Sequence, residues 1–183
     1  MRIIAGKYKG HALYCPRGRD IRPTSDKARG ALFNIIGASI AGSAFLDLFA
    51  GTGAVGLEAL SRGAAMVTAV ERDAPEITQR NAKKLGAGPD CGYTLIRGDV
   101  FTEARRICDP GAPFGYVFAD PPWKAGLEED ILEAAAPLLA GGGMLILELN
   151  KRTAPPDRAA HGLCLVDARR YGEAVFRFYL DSR

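Results

Sequence analysis

From residue 44 onward, the hydrophobic positions alternate between two patterns. Short, nearly continuous apolar runs have the length and content of buried strands: AFLDLF (44–49), MVTAVE (66–71), YTLIRG (93–98), YVFAD (116–120) and GGGMLILELN (141–150). Between them lie VGLEALSR, PEITQRNAKKLG, VFTEARRIC and LEEDILEAAAPLLA, which read as helices; Gly86 stands where the second should stop. Strand–helix alternation of this kind predicts an α/β fold, a parallel sheet covered on both faces. The stretch LCLVDARRYGEAVFRFYL breaks the alternation. It reads as two strands about a turn near Tyr171 and Gly172, an antiparallel hairpin at one sheet edge.

The first 43 residues stand outside this alternation. RIIAG and HALYC read as two short strands joined by KYKG, a hairpin. In RPTSDKARGALFNIIG, Thr24 or Ser25 is placed to cap a helix. Ala28, Ala31, Leu32, Ile35 and Ile36 give its apolar spacing, and Gly37 ends it.

Composition narrows the class. The chain has 183 residues, 48% of them hydrophobic, enough for one compact domain with a sizeable core. No apolar run approaches the roughly 20 residues that cross a bilayer, and the N-terminal stretch lacks a signal-peptide pattern. A soluble cytoplasmic protein is expected. Cys15, Cys91, Cys108 and Cys164 are scattered, without a paired-ligand motif, so no metal site is expected. The net charge is +3, but residues 1–30 hold eight basic side chains against two acidic ones. A basic end on a mildly acidic remainder points to an anionic partner.

The chemistry gathers where the predicted strands end. In a doubly wound sheet, ligands bind beyond the carboxyl ends of the strands. Asp47, Glu71, Asp99 and Asp120 lie at or near four such ends. After the first strand comes Gly51-x-Gly53-x-x-Gly56, with Glu71 twenty residues past Gly51. That is formally a dinucleotide fingerprint. Asp47, however, puts a carboxylate just before the turn, which opposes a pyrophosphate. S-adenosylmethionine has an ammonium and a sulfonium and no phosphate, so an acid there attracts it. Glu71 is then placed to accept from the ribose hydroxyls and Asp99 from the adenine amine. An NAD-dependent oxidoreductase is the alternative, and it leaves the next motif without a role.

That motif is ADPPW. The exocyclic amine of a base is a poor nucleophile because its lone pair is delocalised into the ring. Two acceptors for its N–H bonds, the Asp120 carboxylate and the Pro121 carbonyl, would turn the lone pair toward a methyl donor. The prolines at 121 and 122 fix the backbone. Trp123 offers a stacking face.

Together, LDLFAGTGAVGLEALSRGA, VERD, GDVF and VFADPPW resemble the class I S-adenosylmethionine-dependent methyltransferases that modify exocyclic amines. MRIIAGKYKGHAL, IRPTSDKARGALFNII and YGEAVFRFYL narrow the resemblance to the 16S ribosomal RNA guanine-N2 methyltransferase family of the RsmD type. The resemblance implies a Rossmann-like, mostly parallel seven-stranded sheet. Residues 1–38 would form a basic, RNA-contacting extension, and residues 39–183 the methyltransferase domain. It implies Asp120, Pro121, Pro122 and Trp123 as the catalytic motif, and Asp47, Ala50, Gly51, Gly53, Glu71, Arg72, Asp99 and Val100 as the cofactor site. Arg2, Lys7, Lys9, Arg17, Arg19, Arg22 and Arg29 would contact RNA. The expected partner is 16S rRNA in an assembled or partly assembled small subunit, and the expected state a monomer. A DNA or tRNA amino methyltransferase, acting on adenine N6 or cytosine N4, and an RNA-binding assembly factor are the alternatives. Two positions depart from the family pattern. Trp123 stands where Tyr or Phe is usual, and Gly30 where Glu commonly follows the arginine, so Arg29 is expected to be freer here.

Overall fold

The computed structural model describes residues 1–16, 24–108, 114–123, 125–153 and 161–181. Seven strands form one sheet: β1 (Ala44–Leu48), β2 (Met66–Glu71), β3 (Tyr93–Arg97), β4 (Phe114–Ala119), β5 (Leu139–Asn150), β6 (Leu163–Tyr171) and β7 (Ala174–Asp181). Their order is β3-β2-β1-β4-β5-β7-β6. The first five run parallel, and β7 pairs antiparallel with both β5 and β6. The order reverses between β1 and β4, which opens the crevice used by ligands in such sheets. The C-terminal hairpin forms as expected, with β7 inside and β6 at the edge.

Helices α1 (Asp26–Ile36), α2 (Ala54–Ser61), α3 (Pro75–Lys84), α4 (Val100–Ile107) and α5 (Glu128–Ala135) complete the fold. Two apolar layers cover the two sheet faces. One joins Phe45, Val67, Phe118, Ile146 and Phe176 to Leu32, Phe33 and Leu57. The other joins Leu46, Leu48, Val117 and Leu147 to Ile131 and Leu132. Alternate residues of one strand thus enter opposite layers, as the period of two requires. Among the described residues, no helix is long and apolar enough to cross a membrane.

Several expectations are adjusted. Ser25 caps α1, accepting from the Ala28 N–H at 3.1 Å. The buried face of α1 is Ala28, Arg29, Leu32, Phe33 and Ile36, while Ile35 is exposed. The apolar stripe is therefore turned toward Phe33, which stacks on Phe45. Helix α5 stops at Ala135, and a 3-10 turn over Ala136–Leu138 contains Pro137, whose missing N–H cannot continue the ladder. The N-terminal hairpin forms no extended strands: it keeps one bridge, Arg2 to Ala12, with cross-arm bonds from Ile3 N–H to His11 O and from Leu13 N–H to Met1 O at 3.0 and 3.2 Å. Other backbone groups of the segment turn to α2. Ile4 N–H and Ala5 N–H donate to Glu58 at 2.8 and 3.1 Å, and Tyr8 N–H donates to Ser61 Oγ at 2.9 Å. The segment is thus bonded to α2 as well as to itself, and Ile3, Tyr8 and Leu13 enter the core.

Candidate functional site

The turn after β1 is held from three sides. Gly51 and Gly53 have φ of 56° and 74°, which glycine adopts without a Cβ penalty. Phe49, with φ 62°, adopts the same left-handed region despite its side chain. Such a backbone outlier in a bulky residue marks a place where the surroundings over-determine the chain. Its ring meets Phe101 edge-on at 6.3 Å. Thr78 of α3 donates to Gly51 O at 2.7 Å, and Asn81 Nδ2 donates to Thr52 O at 2.8 Å. These α3 contacts and Phe49 escaped the sequence reading; the left-handed φ of an aromatic residue has no local sequence signal.

The acids of the first three strand ends surround this turn. Asp47 is buried beneath it and accepts from Gly56 N–H, near the start of α2, at 2.8 Å. Burial pushes its carboxyl up to about 7; the Gly56 bond opposes that, and the neighbouring Glu71 charge adds to it. Glu71, also buried, binds the turn directly. Its Oε2 accepts from Gly51 N–H at 2.6 Å, and its Oε1 from Asp73 and Ala74 N–H groups at 2.7 and 2.9 Å. Asp99 caps α4: Oδ1 accepts from the Phe101 and Thr102 N–H groups at 3.1 Å each, and Oδ2 pairs with exposed Arg72 at 3.2 Å. Val100 begins α4 beside it, and Ala50 N–H donates to Val70 O at 3.0 Å, tying the turn to β2. The expected cofactor residues are therefore neighbours around one turn.

Asp120 follows β4 directly and is half-buried. Desolvation raises its pKa well above the ordinary carboxylate range, and the charges of Glu148 and Asp47 raise it further. A hydrogen bond from Trp123 opposes this rise. Only the indole N–H can donate it. The departure from Tyr or Phe thus supplies a donor to the carboxylate that phenylalanine lacks. Pro121 is buried, Pro122 exposed, and Trp123 half-exposed. Glu148 was missed, because it lies within an apolar strand. It is 3% exposed and accepts from the Thr24 hydroxyl at 2.6 Å.

Of the basic residues singled out, Arg2, Lys7 and Lys9 are exposed. Arg2 and Lys9, with Asp26, line a groove beside Ile3 and Ile4. Arg17, Arg19 and Arg22 lie outside the described residues. Arg29 does not belong on that surface, and it is not freer for having Gly30 beside it. Its side chain is 0% exposed, bonded to Asp26 at 3.0 Å and 3.7 Å from the equally buried Glu58. It also donates to the Arg2 carbonyl. Without a facing acid, an arginine there would be an unpaired interior charge; Glu58 supplies that acid from α2.

A family model described as conserved hypothetical protein 95 matches residues 1–180. The ribosomal RNA small subunit methyltransferase D of Escherichia coli is 36% identical over 132 residues, 72% of this chain. That stretch spans 65% of the relative's length. The putative rRNA methyltransferase YlbH of Bacillus subtilis is 37% identical over 126 residues, covering 68% of this chain and 67% of the relative. Among solved structures, a putative methyltransferase, yhhF, from Escherichia coli superposes with a TM-score of 0.82 and 31% identity, over 99% of this chain and 97% of that one. With its strand order, its strand-end acids and a family match from residue 1 to residue 180, the chain belongs to the conserved hypothetical protein 95 family, of RsmD type, and has the class I methyltransferase fold.

Proposed function

We propose that the protein transfers a methyl group from S-adenosylmethionine to the exocyclic N2 amine of a guanine in small-subunit rRNA. The observation that carries the reading is the pairing of two features at the crevice between β1 and β4. The Gly51–Gly53 turn is ringed by Asp47, Glu71 and Asp99, and Asp120-Pro-Pro-Trp begins where β4 ends. The RsmD-type relatives, named as rRNA methyltransferases, support the substrate class.

The residues fit a cationic, phosphate-free donor. Asp47 is a buried acid whose ionisation is opposed by burial and by Glu71, so a positive group above the turn would offset a field left unbalanced. Bound there, S-adenosylmethionine supplies an electrophilic methyl on sulfur. Glu71 Oε2 holds the turn through Gly51 and has acceptor capacity for a ribose hydroxyl, since one carboxylate accepts about four hydrogen bonds. Asp99 stands beside Val100 and Phe101 for the adenine amine, and Arg72 closes that edge through its ion pair with Asp99.

At the target end, Asp120 and the Pro121 carbonyl accept from the guanine amine and turn its lone pair toward the methyl. Trp123 stacks on the base. Positioning and fixed charge account for the rate, with no covalent intermediate. Arg2, Lys7 and Lys9, with Arg17, Arg19 and Arg22, engage phosphates and position RNA without reading its sequence. The base must be unpaired or splayed out to enter. Residues 1–38 are thus the substrate arm and residues 39–183 the catalytic body, and the partner is an assembled or partly assembled small subunit.

The test uses labelled S-adenosylmethionine and small subunits from cells lacking the enzyme, digested to nucleosides afterwards. Label in N2-methylguanosine is the expected result. Label in N6-methyladenosine or N4-methylcytidine would reassign the base, and no label would overturn the reading.

A further inference from the structure

We propose that Glu148 selects guanine, by accepting a hydrogen bond from the ring N1–H beside the amine that Asp120 holds. The inference rests on the methyl-transfer reading above.

It begins with sheet register. Ala119 of β4 is paired with Leu147 of β5, in parallel, so Asp120 and Glu148 are the next residues along two neighbouring segments of the sheet. Adjacent strands lie about 4.8 Å apart. Phe118 and Ile146 enter one apolar layer, and Ala119 and Leu147 the other. By alternation Asp120 and Glu148 face the side of Phe118 and Ile146. Asp47 shares that side, its strand neighbours Leu46 and Leu48 entering the opposite layer. The charge of Glu148 is felt by Asp120, second only to desolvation.

A carboxylate at this place is costly. It is 3% exposed in a run, residues 144–149, otherwise made of Leu, Ile and Met, and like charges side by side oppose each other's ionisation. The Thr24 bond at 2.6 Å fixes the direction of the carboxylate.

What the charge suits is a base with two adjacent donors. Guanine presents a ring N1–H next to its amine. In adenine and cytosine the ring nitrogen next to the amine is an acceptor, which a carboxylate repels. Two neighbouring carboxylates therefore match the guanine edge and reject the other two bases, both by attraction and by repulsion. A site built around a hydrogen bond discriminates strongly against the analogue that cannot make it.

The experiment uses small subunits assembled with 2-aminopurine in place of the methylated guanine, located beforehand from the labelled product. 2-Aminopurine keeps the amine but has an acceptor at N1. The unaltered enzyme is expected to prefer guanine by at least about 100-fold in kcat/KM. Glu148→Gln, whose amide can donate to N1, is expected to narrow that ratio by about tenfold or more. Thr24→Val, which keeps the charge but releases its orientation, should narrow it less. Equal rates on the two bases with the unaltered enzyme would overturn the proposal without any variant. An unchanged ratio in both variants would overturn it as well. Failure to methylate guanine at all would strike the methyl-transfer reading instead, so the two failures are distinct.

Discussion

Asp47 shows how a single residue ties stability to ligand. Its carboxyl titrates near 7 in the folded chain against 3.8 ordinarily. Between those values the folded state holds a proton that the unfolded state has lost. Stability without ligand therefore falls as pH rises from about 4 to 7, by up to roughly 4 kcal/mol if the shift is fully expressed. Asp47→Asn should flatten this dependence, measured by urea unfolding across that range. The same titration predicts that S-adenosylmethionine binds more tightly as pH rises through about 7, since only the ionised form attracts a cation. Calorimetry at several pH values would check this, and an affinity independent of pH would argue against it. Asp120 acts in the same sense, being raised by its surroundings and held partly in check by the Trp123 bond.

At the scale of elements, the N-terminal segment and α2 form one unit. Glu58 receives Ile4 and Ala5 N–H groups and faces Arg29 and Arg62. Removing one partner of a buried pair strands the other, at a cost of about 3–5 kcal/mol. Glu58→Ala is therefore expected to lower the melting temperature by about 10 °C in scanning calorimetry. Gly6→Ala should destabilise too, because a Cβ there would lie 1.8 Å from Ser61 O and the φ of 82° is unfavourable for alanine. At this scale the sequence is informative where periodicity is local. The run MVTAVE is β2 to the residue, and Ser25 is the cap it resembles. It is uninformative where partners are distant. Nothing near Arg29 announces Glu58, nor that Ile4, Ala5, Lys7 and Tyr8 give their N–H groups to α2. The strand-end acids were legible as a set; Glu148 was not, since the alternation of a half-polar strand is absent from its apolar run and only packing beside Asp120 gives it meaning.

For the whole molecule, the proposed phosphate role of the basic end makes salt the variable to measure. The chain is only +3, yet its first thirty positions hold eight basic side chains against two acidic ones. If Arg2, Lys7, Lys9, Arg17, Arg19 and Arg22 each neutralise a phosphate, the logarithm of affinity should fall with that of salt at a slope of roughly −4 to −5. Raising salt from 50 to 200 mM would then weaken binding by several hundredfold or more. Filter binding with small subunits measures this; a slope near zero would remove the phosphate role. Replacing Lys7 and Lys9 by Gln should make the slope shallower by about two, leaving the melting temperature nearly unchanged because both are exposed.

The bonding of Ile4 and Ala5 to Glu58 bears on how the N-terminal segment is to be studied. A chain trimmed of its first five residues would lose those two backbone donors and the Arg2 carbonyl that receives Arg29, leaving opposite charges under-solvated inside the fold. Deletion would therefore unfold what it set out to dissect. Neutralising exposed cations one at a time, with the backbone intact, separates the proposed phosphate contacts from integrity of the fold.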